Sequence, residues 1–142
     1  MNIYSKIEIA LSKKTTSAYV WLLAYILLFG THAHISNMLG WSGKPWSESP
    51  MLWRILDVVL LAFNLAVAAG LIMRKAIAVI GFIAGIVLLQ IVPYTIFRSY
   101  FVMRPDDHGI LNSLVGAEII LILIMLMLVF LQGKSQEGDN II

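Results

Sequence analysis

Four long apolar runs divide the chain, at about residues 17–37, 52–73, 76–97 and 111–132, and each ends in charge or in Gly, Pro and Ser. A helix crosses roughly 30 Å of hydrocarbon at a 1.5 Å rise, so about 20 mostly apolar residues suffice. All four runs reach that length and predict transmembrane helices. Only the turn Met73-Arg74-Lys75 joins the second to the third, so these two are expected to fold back as a hairpin. The predicted fold is an all-α membrane protein, a four-transmembrane-helix antiparallel bundle over residues 17–132.

The flanking segments read differently. In residues 1–16, Ile3, Ile7 and Leu11 recur at spacing four beside Lys6, Lys13 and Lys14. That is the pattern of an amphipathic N-terminal helix on a membrane surface, with a frayed terminus as the alternative. Residues 133–142 read as a solvated, flexible tail. The first long loop, "GWSGKPWSESP", carries Trp41 and Trp46, and Trp53 follows. Tryptophans favour the membrane–water boundary, and the loop is expected to pack onto the outer face. In the second, "RSYFVMRPDDHG", Asp106 or Asp107 stands where it can cap the next helix. Ala62, Ala66, Gly70, Gly81 and Gly85 form small-residue spacings that let two backbones approach in lipid. Pro93 frees a carbonyl and bends the third span.

Composition agrees with the pattern. Apolar residues make up 60 % of the 142, charged ones 13 %, too few to cover a water-exposed surface. The first run is too long for a signal peptide and "THAHISNMLGW" is a poor cleavage site, so it is expected to be retained. Without cysteine there is no disulfide and no thiolate ligand. A formal charge of +2 marks no nucleic-acid surface. Lys6, Lys13, Lys14, Arg74, Lys75 and Lys134 fall on one side of the four spans, against Lys44, Arg54, Arg98 and Arg104 on the other. The positive-inside rule then puts both termini in the cytoplasm, as expected for a multi-pass protein of a prokaryotic cytoplasmic membrane.

The candidate chemistry depends on depth. Counted at 1.5 Å per residue from the outer end of each span, Asp57 lies roughly 9 Å in, Gln90 roughly 10 Å and Glu118 roughly 11 Å. His32 and His34 lie within about 8 Å of the same boundary. The inner half holds little comparable except Asn64. Ionised groups at such depth pair, face the interior or become protonated. Arg54, three residues before Asp57, offers it a local ion pair. Glu118 has no charged neighbour on its own helix and must turn to Arg98, Arg54 or a histidine.

Three ligand classes fit these residues. His32 and His34 stand about 200° apart on a helix, so only one of them faces the bundle. One histidine with His108 and a carboxylate would suit a first-row metal, the set being His34, His108 and Glu118. A bis-histidine haem is a second possibility, and a simply hydrogen-bonded histidine is the commoner fate. The third is a small amphipath. A polar layer of His32, His34, Arg54, Asp57, Gln90, Tyr94, Arg98 and Glu118 above an apolar half suits the head and tail of a quinone or lipid.

The segment "RILDVVLLAFNLAVAAGLIMRKAIAVIGFIAGIV", residues 54–87, resembles the DoxX-like family of small four-helix membrane proteins. In that family the second span ends in Gly-Leu, here Gly70-Leu71, before a basic turn, Arg74-Lys75, and an Ala-rich third span, Ala76-Ile77-Ala78. The first span is similar in carrying a Gly and then a His near its outer end, which Gly30 with His32 or His34 would match. The family's second-span glutamate is replaced by Asp57 or Asn64. The resemblance implies the four-helix fold. It also implies a place among proteins that include a thiosulfate:quinone oxidoreductase subunit and assembly factors.

No Ser/His/Asp set, P-loop or redox-centre motif is present. The expectation is therefore an accessory or assembly subunit of a larger, redox-related membrane complex, non-catalytic alone, with membrane lipids and other integral membrane subunits as partners. The alternative is a quinone-linked oxidoreductase component of the thiosulfate:quinone type, with its site in the outer polar layer.

Overall fold

A computed structural model describes residues 1–134, and their regular structure is helical throughout. Helix α1 spans Ile3–Leu11, α2 Lys14–Met38, α3 Met51–Ile72, α4 Ala76–Thr95 and α5 Asp107–Gln132. Helices α2 to α5 are each long and apolar enough to cross a membrane. The first and last begin earlier than their apolar runs, because hydropathy marks the segment suited to lipid while hydrogen bonding carries the helix beyond it. The tail expected over 133–142 lies, from residue 135 on, outside the described residues.

Helix α3 packs along α2 on one side and against α4 on the other, and α5 packs against α2. Their shared core holds Val20, Leu23 and Leu27 of α2, Val67 and Leu71 of α3, Phe82 and Ile86 of α4, and Met125 and Val129 of α5. Lipid tails are as apolar as these side chains, so in a bilayer such contacts rest on close packing rather than on escape from water. Two glycines set how close the α3 and α4 backbones come. A Cβ on Gly70 would lie 2.6 Å from the Ala78 Cβ, and one on Gly85 would enter the Phe63 ring. Ala62 and Ala66 are exposed, so the seam follows Phe63, Val67 and Gly70 rather than the expected alanine row.

The turn between α3 and α4 closes as a Schellman motif. Lys75 N–H donates to Gly70 O at 2.9 Å and Arg74 N–H to Leu71 O at 2.9 Å. Arg74 takes the left-handed conformation this requires, φ 54°. In α4 the turn Val87–Ile91 widens to a π-helical one just before Pro93. Proline offers no N–H to the preceding turn. Two residues on, Thr95 Oγ1 donates to its own i−4 carbonyl, Ile91 O, at 2.6 Å. The expected bend at Pro93 is thus a local widening, and Gln90 lies within it.

Helix α1 is bound to the protein rather than frayed. Asn2 caps it by accepting Ser5 N–H at 2.8 Å, and Ile7, Ala10 and Leu11 are buried. It packs on α4 and α5, with Gly133 pressed against the Lys6 backbone. Nearby, Thr16 Oγ1 and Gln132 Oε1 stand 2.7 Å apart. At the opposite end the two long loops meet, because Asn37, Trp46, Trp53, Phe101, Arg104 and Asp107 line one pocket there. Asp107 does not cap its own helix. Its Oδ2 accepts the N–H groups of Met103 and Arg104, at 2.9 and 2.8 Å, and so fastens the loop before α5.

Candidate functional site

A cavity of about 260 Å³ lies among the four long helices, and each contributes a polar side chain to its wall. These are His34 from α2, Asn64 from α3, Gln90 and Tyr94 from α4, and Glu118 from α5. Leu27, Phe82, Ile86 and Leu121 supply apolar wall. The helical registers account for the meeting. Glu118 lies on the buried stripe Leu111, Val115, Glu118, Ile122 and Met125 of α5. Asn64 lies on the stripe Asp57, Leu60, Asn64, Val67 and Leu71 of α3.

His34 is held from behind. Its Nδ1 stands 2.8 Å from Asp57 Oδ1, and Trp46 Nε1 donates to Asp57 Oδ2 at 3.0 Å. Asn37 Nδ2 reaches Oδ1 at 3.5 Å. A carboxylate accepts, so Nδ1 carries the proton of this contact, and Nε2 is the nitrogen left for the cavity. Asp57 is 4 % exposed, and its satisfaction by three donors from two segments explains how an acid sits inside an apolar helix pair.

Glu118 is in a different state. It is 5 % exposed and its Oε2 has no hydrogen-bond partner among the described residues. Asn64 Oδ1 is likewise buried without a partner. Leaving such groups unpaired costs about 1–3 kcal/mol each, which marks them as exceptions to be explained. Both face the same cavity. Gly30 allows the approach, since a Cβ there would come 3.0 Å from Asn64 Nδ2. Ala33, Leu114 and Ala117 line the cavity yet are exposed on the protein surface, so it opens sideways between α2 and α5.

Of the residues expected to share a polar layer, His34, Gln90, Tyr94 and Glu118 do meet, with Asp57 one hydrogen bond behind. The others do not. His32 points outward, as the 200° rule requires, its ring 6.5 Å from that of Phe29. Arg98, just beyond the end of α4, turns back onto that helix, Nε donating to Tyr94 O at 2.8 Å. Arg54 does not pair with Asp57, whose oxygens are taken by His34, Asn37 and Trp46; it lies 5.9 Å from the Trp46 ring centre. Among the described residues the ion pairs are His34–Asp57 and Arg104–Asp107, so Glu118 pairs with none of the expected cations.

The expected metal set also separates. His34 and Glu118 line the cavity, but His108 is exposed in the first turn of α5 and does not. Among the described residues no three His, Cys, Asp or Glu side chains are grouped to hold a metal ion. Among the described residues His34 is the one histidine that lines the cavity, so the pair that a bis-histidine haem needs does not come together there. Asn64 joins the site from outside the expected layer: depth separates it from Asp57, but its spacing of seven puts both on one face. Asn37, three residues after His34, carried the same signal. Trp46 carried none, because a loop's return path is not periodic.

No family model, curated protein or solved structure matches this chain.

Proposed function

We propose that this chain is a membrane-embedded binding protein for the head of a quinone or quinol, acting as a subunit of a larger redox complex. The observation that carries the reading is the Glu118 carboxyl, buried and unpartnered at Oε2, facing a cavity that also holds His34. A quinol hydroxyl donates to such an oxygen, and a quinone carbonyl accepts from the Gln90 amide or the Tyr94 hydroxyl. The cavity suits about one ring and its substituents, being smaller than the roughly 300–1,000 Å³ of sites for larger ligands. The sideways opening between α2 and α5 gives an isoprenoid tail a way out into lipid.

In this reading the four spans are antiparallel, both termini are cytoplasmic and the cavity lies toward the extracytoplasmic side of a prokaryotic membrane. The charge distribution of the loops supports that orientation. The resemblance to DoxX-like proteins supports the assignment to small membrane subunits. Electrons would pass between the bound quinone and a redox centre held by a partner subunit, so the accessory role and the quinone site belong together.

Purification in mild detergent, followed by solvent extraction and mass spectrometry, tests this. The protein is expected to retain about one quinone per chain, and Glu118→Gln or His34→Ala to lose it with helicity unchanged by circular dichroism. Quinone-free protein from quinone-replete membranes, or normal retention by both variants, would overturn the proposal.

A further inference from the structure

Arg54 poses a question that the cavity does not answer. It sits in the first turn of α3, about 5 Å along the helix from Met51 at 1.5 Å per residue. It is half-buried, with its Nε enclosed and without a hydrogen-bond partner among the described residues, so its Nη groups are the ones left to meet a ligand; no carboxylate of the described residues stands within ion-pair distance. Its nearest acid in sequence, Asp57, is occupied by His34 and Trp46 on the buried face. A guanidinium at the margin of a bilayer is costly unless an anion or water meets it.

What surrounds Arg54 indicates the anion. Met51, Arg54, Ile55, Val58 and Val59 follow the i, i+3, i+4, i+7, i+8 rule of a single helix face. Apart from half-buried Arg54, every one of them is exposed. With Trp46 from the loop they line an open groove of about 330 Å³ whose wall is almost wholly apolar. From the cation at Arg54 the groove runs about 8 Å along the helix to Val59, over aliphatic surface and along the direction of a lipid chain. Trp46 closes the other side with its ring against the guanidinium, the arrangement of an amphipathic boundary residue. A phosphodiester supplies the missing charge, and its two non-bridging oxygens can accept from the planar guanidinium fork together.

We propose that the α3 face at Arg54, Ile55, Val58 and Val59, walled by Trp46, binds an anionic glycerophospholipid. Its phosphodiester lies on Arg54, and the upper part of one acyl chain lies along the aliphatic residues. The cation chooses a lipid whose headgroup bears no compensating positive charge, so phosphatidylglycerol is preferred to phosphatidylcholine. This groove shares no lining residue with the cavity of His34 and Glu118, so the site is independent of the quinone reading.

Native mass spectrometry of full-length protein released from bilayer discs of equal phosphatidylglycerol and phosphatidylcholine tests it. Wild type is expected to retain phosphatidylglycerol about fivefold over phosphatidylcholine, on the order of 1 kcal/mol. Arg54→Gln brings the ratio near one, and Arg54→Lys keeps part of it. Arg104→Gln, which removes an exposed loop cation, leaves the ratio as it was. Val58→Trp fills the groove while keeping the charge and lowers total retained lipid. Equal retention of the two lipids by wild type, or an undiminished ratio in Arg54→Gln, sinks the proposal. If Arg54→Gln does not fold, Val58→Trp decides: unchanged lipid retention by that variant is then the overturning result.

Discussion

His34 on α2 and Asp57 on α3 stand 2.8 Å apart, Nδ1 to Oδ1, and through them the cavity is tied to the loop that carries Trp46. One carboxylate thus holds a histidine ring, an indole and two helices in register. Replacing it leaves those donors facing apolar side chains.

Asp57→Ala is therefore expected to destabilise the protein by about 2 kcal/mol, the cost of stranding buried donors. Asp57→Asn keeps an acceptor and costs less. Thermal unfolding in detergent, followed by tryptophan fluorescence, measures both. A red-shifted emission with an unchanged melting temperature would show the Trp46 contact broken without consequence, contrary to this account.

The α3–α4 seam predicts a sharp contrast between two glycines. Gly85→Ala drives a methyl into the Phe63 ring and is expected to cost about 1–3 kcal/mol. Gly81→Ala meets its nearest neighbour, Val67 Cγ2, at 3.9 Å and is expected to be neutral or slightly stabilising. Reversible unfolding in mixed micelles compares the two. Equal costs would mean the seam relaxes more freely than the packing implies.

How far the sequence could foretell this arrangement differs by residue. The four spans follow from the lengths of the apolar runs, which lipid dictates directly. Depth is also legible, because rise per residue is fixed, and counting brings His34, Gln90 and Glu118 to one level. Rotation about the helix axis is less so. Arg54 and Arg98 lie at suitable depths but turn to other faces, one onto Trp46 and one onto its own backbone. Asn64 shows the converse: its depth sets it apart from the outer layer, while its spacing from Asp57 places it on the same buried stripe. The widened turn at Val87–Ile91 shifts every later residue of α4 relative to an ideal helix, which no periodic count includes. His108 and Trp46 belong to a loop or its edge, where position depends on contacts rather than on a repeat.

Gly30 tests whether the cavity needs its close helix approach. Gly30→Val places branched carbons where the first would already lie 3.0 Å from Asn64 Nδ2. Asn64 is expected to be displaced into the cavity, with a stability loss of about 1–3 kcal/mol. Quinone retention should fall at least tenfold, whereas Gly109→Ala, with nothing within 4 Å, leaves both properties unchanged. Extraction and quantification of bound quinone beside the melting temperature gives both readouts.

Pro93 offers the most discriminating variant, because stability and binding should move in opposite directions. The π-helical turn Val87–Ile91 accommodates a residue without an N–H and turns Gln90 toward the cavity. In Pro93→Ala the restored N–H can bond within a regular helix, which removes a penalty of up to about 3 kcal/mol. Regularising one turn rotates the residues around Gln90 away from their present directions, so the amide leaves the cavity wall. The melting temperature is expected to rise while quinone retention falls, the trade expected where local irregularity serves a site. Oriented circular dichroism reports the added regular helix, and bound quinone is measured on the same preparation. A variant that is both more stable and fully loaded would show that the widened turn belongs to the proline alone and contributes nothing to binding.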